Sequence, residues 1–173
     1  MKINYLTGDM FELVKLNAGV VIPHVCNDIG AWGAGFVMAL SKHWPVDQKE
    51  QSPECMYREW FAAEPDSNEG AVLHSSGLPP FELGQVQHVV TPTGATVVNM
   101  IGQRGTVSED NPRPVKYAAL VDCMRKVAES SQGCEIHAPK FGAGLAGGDW
   151  HVIEALIEEL WCEPGIPVTV YSL

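Results

Sequence analysis

KFGAGLAGGDW, residues 140–150, sets four glycines into the seven positions 142–148 and follows them with a tryptophan and an apolar helical period. Each glycine forfeits packing and costs backbone entropy, so the chain there needs positive φ or a close backbone approach. One glycine suffices for a plain strand-to-helix turn. Four imply that something is pressed against the main chain. The preceding CEIHAP (134–139) reads as a strand, and Ile153, Leu156, Ile157 and Leu160 then recur at helical spacing. A strand, a glycine loop and a helix in that order point to an α/β protein.

The same order occurs once more. AGVVIPHVCN (18–27) is a continuous apolar run, typical of a strand buried on both faces. It leads through DIGAWGAG (28–35) into FVMALSKHW, a helix stopped by Pro45. KINYLT (2–7) reads as a first strand, and Asp9 stands three residues before Glu12, the spacing of a capping box. Residues 46–61 carry a helical pattern ending in YREW, and 62–80 read as an irregular surface insertion rich in proline, glycine and serine.

LGQVQHVVT and ATVVNMIGQ form an expected strand pair joined through Pro92, Thr93 and Gly94. After a second loop (104–113), Leu120, Cys123, Met124 and Val127 mark one helix face, and PVTVYSL closes as a strand. Strands and helices alternate with no repeat or dividing linker, so one domain over 1–173 is expected, a three-layer α/β/α sandwich with a central mixed sheet. Ligands in such sheets lie at the carboxyl ends of the strands. Both glycine loops leave a strand at that end, so they are expected to share a cleft.

Composition narrows the function. A net charge of −10 argues against holding nucleic acid by its phosphates, yet backbone N–H groups bind small phosphates without lysine or arginine. No apolar run approaches the roughly 20 residues that span a bilayer, and MKINYLTGDM lacks a signal-peptide layout, so a cytoplasmic protein is expected. The five cysteines are scattered without a C-x-x-C pair. Cys134 and His137 face opposite sides of an expected strand, so no metal site is expected. The glycine loop is not a P-loop. It does match G-x-G-x-x-G through Gly142, Gly144 and Gly147, but near residue 140 rather than after the first strand, where the dinucleotide motif belongs.

Four pieces in one order, YLTGDMF (5–11), PHVCNDIGAWGAGFVMAL (23–40), KFGAGLAGGDW (140–150) and VTVYSL (168–173), resemble the macrodomain family, the ADP-ribose-binding fold, over nearly the whole chain. The compact branch that includes terminal ADP-ribose protein glycohydrolases and ADP-ribose 1″-phosphate phosphatases is the most similar. The resemblance implies that Asp9 and the main-chain N–H of Met10 hold adenine. It further implies that Gly33, Ala34, Gly35 and Phe36 embrace the diphosphate and distal ribose, with Gly142, Ala143, Gly144, Leu145 and Ala146 on the other side. Phe141 or Tyr171 would pack on adenine or ribose, Asn27 would bond the distal ribose, and Gln103 would lie beside it.

The branch's lysine and aspartate are replaced here by Gln103 and Ala146, and HVCND stands where a larger branch has paired asparagines. A lysine-dependent mechanism is therefore unavailable. What remains is hydrolysis by a positioned water, with His24, Asn27 and Asp28 as candidate catalytic groups and Asp149 behind them. His24 earns its place by a near-neutral ordinary pKa. Strand alternation puts His24 and Asn27 on opposite faces, so they act together only if the strand bends near 26. The readings left open are a hydrolase of mono-ADP-ribose on protein acidic side chains or of ADP-ribose 1″-phosphate, a non-catalytic ADP-ribose reader, and an unrelated phosphometabolite enzyme. The implied partners are ADP-ribose or ADP-ribosylated protein. No cofactor, membrane or nucleic acid is expected, and a monomer is.

Overall fold

The computed structural model describes residues 1–64 and 77–173. Most of the expected insertion at 62–80 therefore lies outside the described residues. The strands are β1 (Asn4–Thr7), β2 (Val20–Asn27), β3 (Val86–Val90), β4 (Thr96–Gln103), β5 (Glu135–Pro139) and β6 (Val168–Ser172). The helices are α1 (Met10–Leu13), α2 (Phe36–His43), α3 (Pro53–Ala62), α4 (Tyr117–Ser130) and α5 (Trp150–Ile157). The six strands form one sheet in the order β1-β6-β5-β2-β4-β3, parallel throughout except for β3 against β4.

Alternation divides the strand residues between two cores. Val21, Val98, Met100, Ile136, Ala138, Val168 and Val170 pack with α4 and α5. Val20, Ile22, Cys26, Val97, Ile101 and Tyr171 pack with α1, α2 and α3. A sheet apolar on both faces must be covered on both, which gives the expected three layers with a mixed central sheet. The continuous apolar runs at 18–27 and 95–103 are the sequence form of that double burial.

Local reasons account for two departures. The helical pattern expected over 46–61 breaks into a 3-10 stretch (Val46–Gln51) and α3, because Lys49 sits at φ 52° and Ser52 caps α3, accepting from the Cys55 N–H at 3.2 Å. Pro53 then occupies the first turn, where its missing N–H costs nothing. Beyond α5 the chain winds into a π-type turn (Glu158–Cys162). Within that turn Trp161 is fully buried, and Leu160, like Leu156 before it, packs half-buried against the core.

Candidate functional site

The two glycine loops meet over the carboxyl ends of β2, β4 and β5 and wall one cleft of three chambers. The middle chamber, about 160 Å³, lies between Ala34, Gly35 and Phe36 on one side and Gly142, Gly144, Leu145 and Ala146 on the other, with Phe141 and Gln103 in its walls. A far chamber of about 250 Å³ is bordered by Asn27, Trp32, Gly33, Gln103, Thr106 and Val107. A near chamber of about 620 Å³ is bordered by Asp9, Met10, Phe11, Phe36, Lys140 and Tyr171. Ala34, Gln103 and Leu145 belong to both the middle and far chambers, while Gly35, Phe36 and Lys140 belong to both the middle and near ones. Leu145, 57% exposed, reaches across so that a Cβ on Gly35 would stand 3.9 Å from its Cδ1.

The four glycines of 142–148 serve different ends. Gly147 (φ +72°) and Gly148 are demanded by the protein's own main chain, since an added Cβ would meet the Pro112 carbonyl oxygen or the Gly142 carbonyl oxygen at 2.4 Å. Gly144 differs. A Cβ there meets nothing within 4 Å, and Gly144 lines the middle chamber. Part of the motif thus closes the loop on itself, and Gly144 keeps the cleft open.

Among the described residues, the N–H groups of 33–36 and of 142–146 donate to nothing within the chain. Most of these residues are exposed, so their donors are open to solvent or to an acceptor brought from outside. Successive free N–H groups of this kind form anion-binding concavities.

The expected wall residues come together with one exception. Ala143 does not border the cleft and packs instead toward the α4/α5 core. Asp9 caps α1, its Oδ1 accepting from the Phe11 N–H at 2.9 Å, while Oδ2 makes no hydrogen bond within the described chain. The cap is made to Phe11 rather than as a reciprocal box with Glu12. Tyr171 borders the near chamber, and its hydroxyl is 2.8 Å from His137 Nδ1. Phe141 is buried against Trp150 and Trp161. Asp149 caps α5, accepting from the His151 N–H at 2.9 Å.

His24 borders the middle chamber, but the fold encloses its ring. It is 2% exposed, edge-on to Trp32 and near Phe36, and burial lowers its pKa to about 4 against the hydrogen bond it donates to Asn99, which acts to raise it. Asn99 Nδ2 donates to the Pro53 carbonyl and to Gln87 Oε1, so Asn99 Oδ1 must accept from His24 Nε2, 2.5 Å away. A neutral imidazole committed in this way is not the near-neutral acid or base expected from the sequence.

Asn27 and Asp28 are likewise occupied. The register of β2 against β4 slips between Cys26 and Asn27, supplying the bend that the alternation required. That bend turns Asn27 inward to hold the following turn. Its Oδ1 accepts from the N–H groups of Ile29 and Ala31 and from the Tyr57 hydroxyl, and its Nδ2 donates to the Ala31 carbonyl. Asp28 lies outside the chamber walls, where its Oδ1 accepts from the Gly105 N–H at 2.8 Å and ties the first glycine loop to the 104–113 loop. Asp28→Ala is expected to cost about 1–2 kcal/mol and to speed amide exchange over 105–111 while leaving β4 protected. Unchanged exchange there would show that the tie is not what orders the loop.

Sequence reasoning missed Lys140, Thr106 and Trp32. Trp32 Nε1 donates to Ser41 Oγ, which donates to Glu54, and Arg58 bonds both Glu54 and the Trp32 carbonyl. No sequence spacing announces that chain of contacts. A lone cation directly before a glycine loop was a usable signal for Lys140.

An α/β/α sandwich with two glycine loops over the carboxyl ends of its parallel strands is a phospholigand-binding architecture by its geometry. No family model matches the chain. It is 38% identical to a Bacteroides thetaiotaomicron protein of unknown function whose structure superposes with a TM-score of 0.80, covering 100% of this chain and 99% of that one. It is 34% identical to a macrodomain protein from Streptomyces coelicolor, with a TM-score of 0.74 and 99% of each chain covered. An ADP-ribose 1″-phosphate phosphatase from Meyerozyma guilliermondii is 25% identical over 91% of this chain and 93% of its own length. A mouse chromodomain-helicase-DNA-binding protein 1-like is 26% identical over 98% of this chain, which spans only 17% of that protein. The chain belongs to the macrodomain family.

Proposed function

We propose that this protein binds ADP-ribose along the three chambers and hydrolyses single ADP-ribose units from esterified acidic side chains by means of a positioned water. The observation that supports the binding is that Ala34, Gly35 and Phe36 on one side and Gly142, Gly144, Leu145 and Ala146 on the other border the middle chamber with main-chain N–H groups that have no acceptor among the described residues, a lining that suits a diphosphate. Adenine then occupies the near chamber, where Asp9 Oδ2 accepts from its amino group and Tyr171 forms a wall. The distal ribose occupies the far chamber. No lysine or arginine borders that chamber among the described residues, which suits an uncharged ester at the 1″ carbon better than the terminal phosphate acted on by the Meyerozyma guilliermondii relative.

Hydrolysis adds water across the ester. Water oxygen joins the ribose side, the carboxylate leaves, and the proton passes to solvent. Gln103 donates through Nε2 to the Gly105 carbonyl at 3.0 Å, which leaves its Oε1 to orient that water, with the Thr106 hydroxyl beside the same chamber. An activated ester asks for alignment more than for a strong base. A specific observation favours the second reading, a non-catalytic reader, because His24, Asn27 and Asp28 are all engaged in holding the fold.

Calorimetric titration with ADP-ribose, followed by assay of ADP-ribose release from a glutamate-modified protein, separates the readings. Binding with release is expected. Binding without release from the ester or from ADP-ribose 1″-phosphate would establish the reader, and absence of binding would remove the cleft assignment altogether.

A further inference from the structure

Of the described residues that border the three chambers, Lys140 is the only lysine or arginine. It stands at the wall shared by the near and middle chambers, immediately after β5 and before the glycine loop. Its side chain is exposed and makes no ion pair among the described residues. Instead its ammonium rests 5.7 Å from the ring centroid of Trp150, the first residue of α5.

A cation on an aromatic face at an exposed site is weakly held, and a charge-assisted contact with a phosphate oxygen is stronger. The loop N–H groups are neutral donors, and the chain as a whole carries a net charge of −10 that opposes an anionic ligand. One mobile cation at the edge of the phosphate chamber supplies what those donors lack. The cost of moving it is small, because it abandons only the ring.

We infer that Lys140 is the electrostatic partner of the ligand's diphosphate, resting on Trp150 when the cleft is free and moving to the phosphate oxygens on binding. In this role Lys140 makes the cleft select adenosine carrying a 5′-diphosphate over adenosine itself. The inference rests on the cleft being the ADP-ribose site. It adds a positioning and specificity role for a side chain that the glycine-loop argument does not require.

The test compares wild type, Lys140→Met and Lys140→Arg in titrations with ADP-ribose, ADP and adenosine, reading both affinity and tryptophan emission, with Trp150→Phe assigning the signal. Lys140→Met is expected to weaken ADP-ribose and ADP by about ten-fold, the scale of one charge-assisted contact net of the ring contact it replaces. Adenosine affinity should not change, and Lys140→Arg should recover most of the loss. The ligand-induced emission change should vanish in Trp150→Phe and shrink in Lys140→Met. Wild-type binding of ADP-ribose with Lys140→Met affinity within two-fold would overturn the role of Lys140 alone. No ADP-ribose binding by wild type would overturn the site reading, and this inference with it.

Discussion

Gly144→Glu is expected to weaken ADP-ribose binding by about 100-fold or more while the protein stays folded, with its melting temperature within a few degrees of wild type. Gly144 is not in the left-handed region, and a Cβ there meets nothing within 4 Å, so the substitution meets no internal obstacle. Its side chain enters the middle chamber, adds volume where the diphosphate is proposed to lie, and sets a carboxylate against phosphate charge. Two decades correspond to about 2.7 kcal/mol, which steric exclusion and like-charge repulsion at close range readily exceed. Gly147→Ala is the informative contrast. It forces an L residue to φ +72° with its Cβ 2.4 Å from the Pro112 carbonyl oxygen, so it should cost about 2 kcal/mol of stability or more. Calorimetry and thermal melts on the two variants separate a glycine kept open for ligand from one kept for the chain. If Gly144→Glu binds normally while folded, the diphosphate does not lie against this loop.

That contrast also marks how far the sequence could be read. Two strand–glycine loop–helix units were legible because double burial requires uninterrupted apolar runs such as 18–27, and because helix faces such as Leu120, Cys123, Met124 and Val127 repeat at a fixed spacing. All four of those residues are fully buried. Leu160 keeps its expected place against the core, half-buried like Leu156, but the π-type turn that follows α5 left no mark in the spacing and shows in backbone hydrogen bonds such as Glu163 N–H to the Glu158 carbonyl. The break before α3 did leave a signal in Ser52-Pro53, a cap residue followed by a first-turn proline.

The site was legible in its walls and less so in its chemistry. Glycine loops advertise themselves, since each missing side chain is visible in the sequence. Whether a polar side chain faces a ligand or the fold is decided by partners far away along the chain. Asn27 is claimed by Tyr57, Asp28 by Gly105 and His24 by Asn99. No spacing within PHVCND encodes those three contacts, and they convert an apparent cluster of reactive groups into a set of structural ties. Lys140 is the converse, a side chain on which, among the described residues, only an aromatic ring has a claim.

The histidine carries its own large prediction. His24 in the folded protein titrates near pH 4, whereas in the unfolded chain it titrates near the ordinary value of about 6.5. A base whose folded pKa is depressed binds more protons when unfolded, so stability is fully present above about pH 6.5 and falls as the pH drops toward 4. At about 1.4 kcal/mol per unit, the loss approaches about 3 kcal/mol across that window. His24→Gln keeps a donor toward Asn99 Oδ1 and removes the titration, so its stability should fall less steeply between pH 6.5 and 4, although carboxylates still contribute to both curves. Urea denaturation of the two proteins across pH 4–8 measures the difference. Parallel curves would mean that His24 is not held neutral by its burial. The same variant bears on chemistry, since a structural imidazole predicts that any hydrolase activity at pH 7 survives in His24→Gln. A loss of turnover with affinity and stability intact would return His24 to the reaction.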